Sequence, residues 1–355
     1  QHLQMIQRAI DLRLRLEGPG QKEDLSIFVD FLSLPQHGEK GDESAPTRGN
    51  PRSESEQKAF ERGLKNVNIL YASQLTEVWL MKWVPDNEPR KYMTRGWPFF
   101  EQAVSTLIKA ATMLIDIEPD IVQDRSWIQT HQKGKLGRRP PMTPSRFEEE
   151  LDSKSFTSPK ADKEFVRDKY VETFTEVIGT SRVLWFVGLG WTDVDAEVFK
   201  EIFPFATKLD RLLLGNNQFS KYGAERIIAG CVHCPTLEHL DLSSNKFSVD
   251  DANALRQIWS SLGKPPNSLR LEGSSRDSIV RPVGSIEWSR GVESCCTSTS
   301  EKTVDQSRAK AVNDLENIAT MIGSECLDAS VATRQVSEVS LANLRQISEI
   351  SLVNL

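Results

Sequence analysis

The spacing of apolar positions changes several times along this chain. Leu3, Ile6, Ile10, Leu12, Leu14 and Leu16 follow a loose helical period that stops at Gly18-Pro19-Gly20, where the backbone is broken. Leu25 to Leu32 is short, apolar and rich in β-branched and aromatic residues, and predicts a buried strand; Gln36 to Ser55, made of Gly, Pro, Ser and charge, predicts a long loop. Ala59, Phe60, Leu64, Val67 and Leu70 recur at threes and fours and predict an amphipathic helix, with a second strand over Leu75 to Trp83. A further helix carries Ala103, Val104, Leu107, Ile108 and Ala111, with Pro98 as its first residue, where a missing N–H costs nothing. Met113 to Ile117 predicts a third strand. Strands alternating with helices imply a parallel α/β layer over residues 1–120.

The second half of the chain repeats itself. Leu209, Leu212, Leu214, Asn217 and Phe219 recur as Leu237, Leu240, Leu242, Asn245 and Phe247, each shifted by 28 residues. One period earlier stand Leu184 and Phe186, and 29 residues after Leu240 the pattern returns at Leu269, Leu271 and Ser274. A fixed period in the twenties implies stacked strand–helix units. Outer helices are expected over Gly223–Ala229 and Asp251–Ile258. An amphipathic helix from Asp162 to Ile178 is expected to cap the stack, so the module spans residues 161–273.

This pattern resembles the leucine-rich repeats of the ribonuclease-inhibitor-like kind over residues 181–273. The resemblance implies a short α/β solenoid in which Asn217 and Asn245 turn inward onto backbone groups. Strand residues that do not point inward, Trp185, Arg211, Leu213, His239, Asp241 and Arg270, would line a concave face. Such a mixture of Trp, Arg and His suits a protein partner. The alternative is that so short an array packs this face on the N-terminal domain. Cys231, His233 and Cys234, with His239 nearby, invite a zinc reading; small buried cysteines filling a turn are the simpler account, and no metal is assigned.

A second resemblance covers residues 1–120. Phe28-Val29-Asp30 at a strand end, a helix, a strand, then Trp97 with Glu101 four residues on, is similar to a Toll/interleukin-receptor (TIR) domain, a flavodoxin-like parallel α/β fold. In that family the helix opens with Ser-x-Trp-Cys-x-x-Glu; here Arg95 and Pro98 stand at the Ser and Cys positions. The family's first strand is absent, as it would be in a sequence truncated at its N-terminus. In members that cleave NAD the glutamate is catalytic, so the resemblance implies a hydrolase with Glu101 at an oxocarbenium-like centre and Trp97 beside it, NAD being substrate. The alternative makes Glu101 a first-turn carboxylate facing the helix dipole, worth about 0.3–1 kcal/mol, and Trp97 a packing residue. No cofactor is expected.

Composition narrows the classes. The 355 residues carry a net charge of −6, which argues against nucleic acid as a partner. Five cysteines at irregular spacing fit a reducing compartment, and no apolar run reaches the length of about 18 residues that spans a bilayer. A cytoplasmic protein is expected. Residues 121–160 read as a basic, Pro-rich linker, with five positive and no negative side chains between Lys133 and Arg146. That stretch is either a docking patch for an acidic partner or phosphate, or a solvated connector, and the connector is preferred. Residues 274–355 are Ser-rich and expected to be mostly disordered, with an 11-residue repeat over 334–355 that reads as a partner-binding helix or an unstructured tail. The functional expectation is a non-catalytic interaction or signalling protein that binds another protein through its repeats, with NAD cleavage as the alternative.

Overall fold

The computed structural model describes residues 2–15, 27–29, 52–156 and 159–272. Of the strand expected over Leu25–Leu32 only Ile27 to Val29 are described, in no strand; Asp30, the rest of that run and the 334–355 repeat lie outside the described residues. The chain divides into two compact units, and the one containing residues 8–15 and 68–272 holds both sheets.

Helix α1, His2–Arg15, buries Met5, Ala9 and Leu12 along one stripe. Helix α2, Glu54–Ala72, begins with a reciprocal cap in which the Glu56 carboxylate accepts from the Ser53 N–H at 2.8 Å and the Ser53 hydroxyl accepts from the Glu56 N–H at 3.3 Å. A strand–helix–strand unit follows: β1, Val78–Leu80; α3, Gly96–Thr106; β2, Leu114–Asp116. The strands pair in parallel with Trp79 opposite Ile115. Pro98 is the third residue of α3 rather than the first, still among the four whose N–H has no partner within the helix.

The stretch expected as a linker is packed structure. Helices α4, Trp127–Gly134, and α5, Pro144–Leu151, occupy it, and Trp127, Phe147 and Leu151 are buried. Phe147 stacks between Phe99 at 5.0 Å and Tyr170 at 3.8 Å, joining α3 and α5 to helix α6, Pro159–Thr180. Isolated large apolar residues, each too far from the next to show a period, anchor this polar segment.

Helix α6 buries Val166, Tyr170, Phe174 and Ile178 at four-residue steps. Beyond it four strands pair in parallel in chain order: β3, Val183–Trp185; β4, Arg211–Leu213; β5, His239–Asp241; β6, Leu269–Arg270. They are linked through α7, Asp193–Ile202; α8, Lys221–Gly230; and α9, Val249–Ser261. Leu184, Leu212, Leu240 and Leu269 are successive cross-strand partners, and all four are buried. The unit after each of the first three strands bends at one equivalent position, where Gly188, Asn216 and Ser244 have φ of 71°, 54° and 55°. The architecture is α/β, mixing helices with parallel strands. No described helix is long and apolar enough to cross a membrane.

Candidate functional site

Side chains alternate across a strand, so residues flanking the buried leucines share the opposite face of the four-stranded sheet. Register places Trp185, Leu213, Asp241 and Arg270 in one row, and Val183, Arg211 and His239 in another. Trp185, Arg211, Leu213 and Asp241 are half-buried, whereas His239 and Arg270 are exposed, so the face opens toward β5 and β6. An Arg270–Asp241 ion pair of 3.6 Å crosses it, and Asp241 also accepts from the Ser243 N–H at 2.8 Å. The six residues singled out in the sequence are thus brought together on one surface.

Behind that surface the two asparagines hold the turns. Asn217 accepts from the N–H groups of Leu189 and Trp191 at 3.0 and 3.1 Å and donates to the carbonyls of Phe186 and Leu214 at 2.8 and 2.9 Å. Asn245 accepts from the Phe219 N–H at 3.0 Å and donates to the carbonyls of Leu242 and Leu214 at 2.8 and 3.1 Å. Each amide thereby satisfies backbone groups of its own unit and the preceding one. Leu209, Leu212, Leu214, Leu237, Leu240 and Leu242 are buried beneath them.

Asp210, Glu238 and His239 lie beside this face, with one ligand atom from each within 4.8 Å. Arg182 at 3.4 Å and Arg211 at 4.0 Å already contact the Asp210 carboxylate, which makes the group an ion-pair network. Cys231 and Cys234 are buried, their thiols donating to the carbonyls of Ile227 and Ala206, and His233 is exposed. Burial pushes the Cys231 thiol up to about 12, so it stays protonated at neutral pH.

Trp97 and Glu101 stand one turn apart at the start of α3, both half-buried. The Trp97 ring meets Phe100 edge-on at 6.1 Å and Phe165 at 5.9 Å. The Tyr92 hydroxyl is held above its usual range first by burial and then by the charge of Glu101.

A cleft of about 300 Å3 lies elsewhere, beyond the carboxyl end of β2, lined by Asp116, Glu118, Asp120, Asp124, Thr130 and Lys133 among others, and by neither Trp97 nor Glu101. Lys82 reaches Asp116 at 2.6 Å, and Lys133 bridges Asp120 and Asp124 at 2.7 and 2.6 Å. Burial raises the Asp116 carboxyl while Lys82 opposes the rise. Sequence reasoning passed over this cleft because its acids follow no motif spacing and sit in a polar segment. The chain matches no protein-family model, no curated protein and no solved structure.

Proposed function

We propose that the chain is a cytoplasmic protein-interaction module of the leucine-rich repeat, ribonuclease-inhibitor-like type, behind a TIR-like α/β layer that takes part in no reaction. The observation that carries this reading is the in-register row Trp185, Leu213, Asp241 and Arg270 on one sheet face. An indole, an aliphatic side chain and a guanidinium side by side supply the residue types that dominate binding energy at protein interfaces. The 28-, 28- and 29-residue steps between paired leucines support the repeat type, as do the two asparagine amides spanning adjacent units.

The test places a photoreactive amino acid in the full chain at His239, on the face, or at Val194, on the outer start of α7 and 81% exposed. A protein cross-linked from His239, absent from Val194 and lost with Arg270→Glu, is the expected result. Equal labelling from both positions, or none from His239, would overturn the assignment of this face.

A further inference from the structure

Of the five positive side chains between Lys133 and Arg146, three have carboxylates: Lys133 pairs with Asp120 and Asp124, Arg139 with Glu150 and Arg146 with Glu201. Lys135 and Arg138 have no acidic partner among the described residues. Arg138 is 7% exposed, and its Nη2 donates to the Thr106 carbonyl at 2.8 Å. Its Nε and Nη1 have no acceptor. The guanidinium lies 5.5 Å from the Phe186 ring, and the Arg138 carbonyl accepts from Trp191 Nε1 at 2.7 Å, so its place against the turn after β3 is fixed from two sides.

Lys135 reaches the same turn. Its Nζ lies 3.6 Å from where a Cβ on Gly188 would stand, and Gly188 and Gly190 both adopt left-handed φ, at 71° and 74°. Wholly buried Lys109 is close enough to Arg138 for the two charges to oppose one another. Lys109 is satisfied by the carbonyls of Ser73 and Thr76 and the Thr76 hydroxyl, and Glu77 is the one carboxylate whose charge favours it. Arg138 and Lys135 thus carry positive charge with no described carboxylate to balance it, Arg138 in a poorly solvated place, which is unfavourable unless an anion completes the pair. A guanidinium presents its N–H bonds in one plane and matches the oxygens of phosphate, and a lysine reaching the same turn adds a mobile point charge.

We propose that Arg138 and Lys135 bind a compact oxyanion of the phosphate class against the turn Phe186–Gly190. The guanidinium supplies directed hydrogen bonds at depth, and Lys135 supplies the outer contact.

The experiment is thermal unfolding of the full chain in inorganic phosphate, in phosphoserine and in chloride at matched ionic strength and pH. A rise of roughly 3 °C or more in phosphate over chloride is expected, because a ligand that binds only the folded chain stabilises it. Lys135→Met should weaken the half-saturating phosphate concentration by on the order of tenfold, the loss of one charge-assisted contact. Arg138→Met should abolish the shift; should that variant not fold, Arg138→Lys, which keeps the charge and loses the planar fork, should diminish it. A matching shift in phosphoserine identifies a phosphate ester as an acceptable source, and a shift in phosphate alone identifies the free ion. Equal unfolding temperatures in phosphate and chloride, or a phosphate shift undiminished in Lys135→Met and Arg138→Lys, would overturn the site and leave solvent as the partner of Arg138.

Discussion

Asn217 donates from Nδ2 to the carbonyl of Phe186 at 2.8 Å, tying the second strand–helix unit to the first. The same amide accepts from Leu189 and Trp191, and the residue is 6% exposed. Removing it leaves buried backbone donors and acceptors unpaired, each worth about 1–3 kcal/mol. Asn217→Ala is expected to lower stability by about 3 kcal/mol, and Asn245→Ala, whose amide is half-open to solvent, by about half of that. Urea unfolding measures both, and equal costs for the two would remove burial as the reason.

Gly134 and Gly263 make an internal comparison. A Cβ on Gly134 would stand 2.3 Å from Ile115 Cγ2 and 2.4 Å from the Asp116 carbonyl, so α4 is seated directly on β2. Gly263 has φ +75° and nothing within 4 Å. Gly134→Ala is expected to cost about 3 kcal/mol through overpacking against backbone, and Gly263→Ala about 1 kcal/mol through backbone strain alone. A Gly134→Ala chain as stable as wild type in denaturant would mean that α4 does not rest on the sheet.

Two buried bases set the pH dependence. Burial lowers His131 from 6.5 to about 4, with Lys135 adding to the effect, and burial lowers Lys109 from 10.5 to about 7. Unfolded chains therefore bind more protons than folded ones between pH 4 and 6.5 and between pH 7 and 10.5. Stability should rise with pH across each window. Glu77 and Asp116, raised by burial, act with the opposite sign in the acid range and offset part of the first rise. In the second window the buried Cys231 and Cys234 thiols, raised from 9.0, oppose the rise above about pH 9, so its clean part lies below that. Melting temperature followed from pH 7 to about 8.5 should climb in wild type and lose most of that climb in Lys109→Met, while His131→Gln should flatten only the acid limb.

Incubation of the full chain with NAD is expected to release no nicotinamide. Steady release that disappears in Glu101→Gln would replace the binding reading with a hydrolase; release that survives the substitution would place the reaction at another residue.

The repeat half was legible because its spacing is physical. A 28-residue shift that returns leucine to leucine already states which residues pair across strands, and Leu184, Leu212 and Leu240 do pair. The helix faces of α3 and α6 were equally readable from threes and fours. Residues 121–156 were not. Their anchors, Trp127, Met142, Phe147 and Leu151, are scattered among charges, and the carboxylates answering their cations lie at Asp120, Glu150 and Glu201, near or far in the chain by no rule. Arg138 looked like part of a solvated basic run, and only tertiary packing shows that it is buried with donors to spare.

The left-handed position shared by Gly188, Asn216 and Ser244 makes the stack directional. Glycine takes that conformation freely, asparagine tolerates it, and serine is strained by about 1 kcal/mol. Among the described residues β3 and β6 each have a strand on one side only, but the turn after β3 is also held by the bond between Arg138 and Trp191. Fraying on heating should therefore start at β6 and run back toward β3. Arg270 and His239 would be lost from the face while Trp185 is still in place, so a partner would dissociate at a temperature below the one that unfolds the chain.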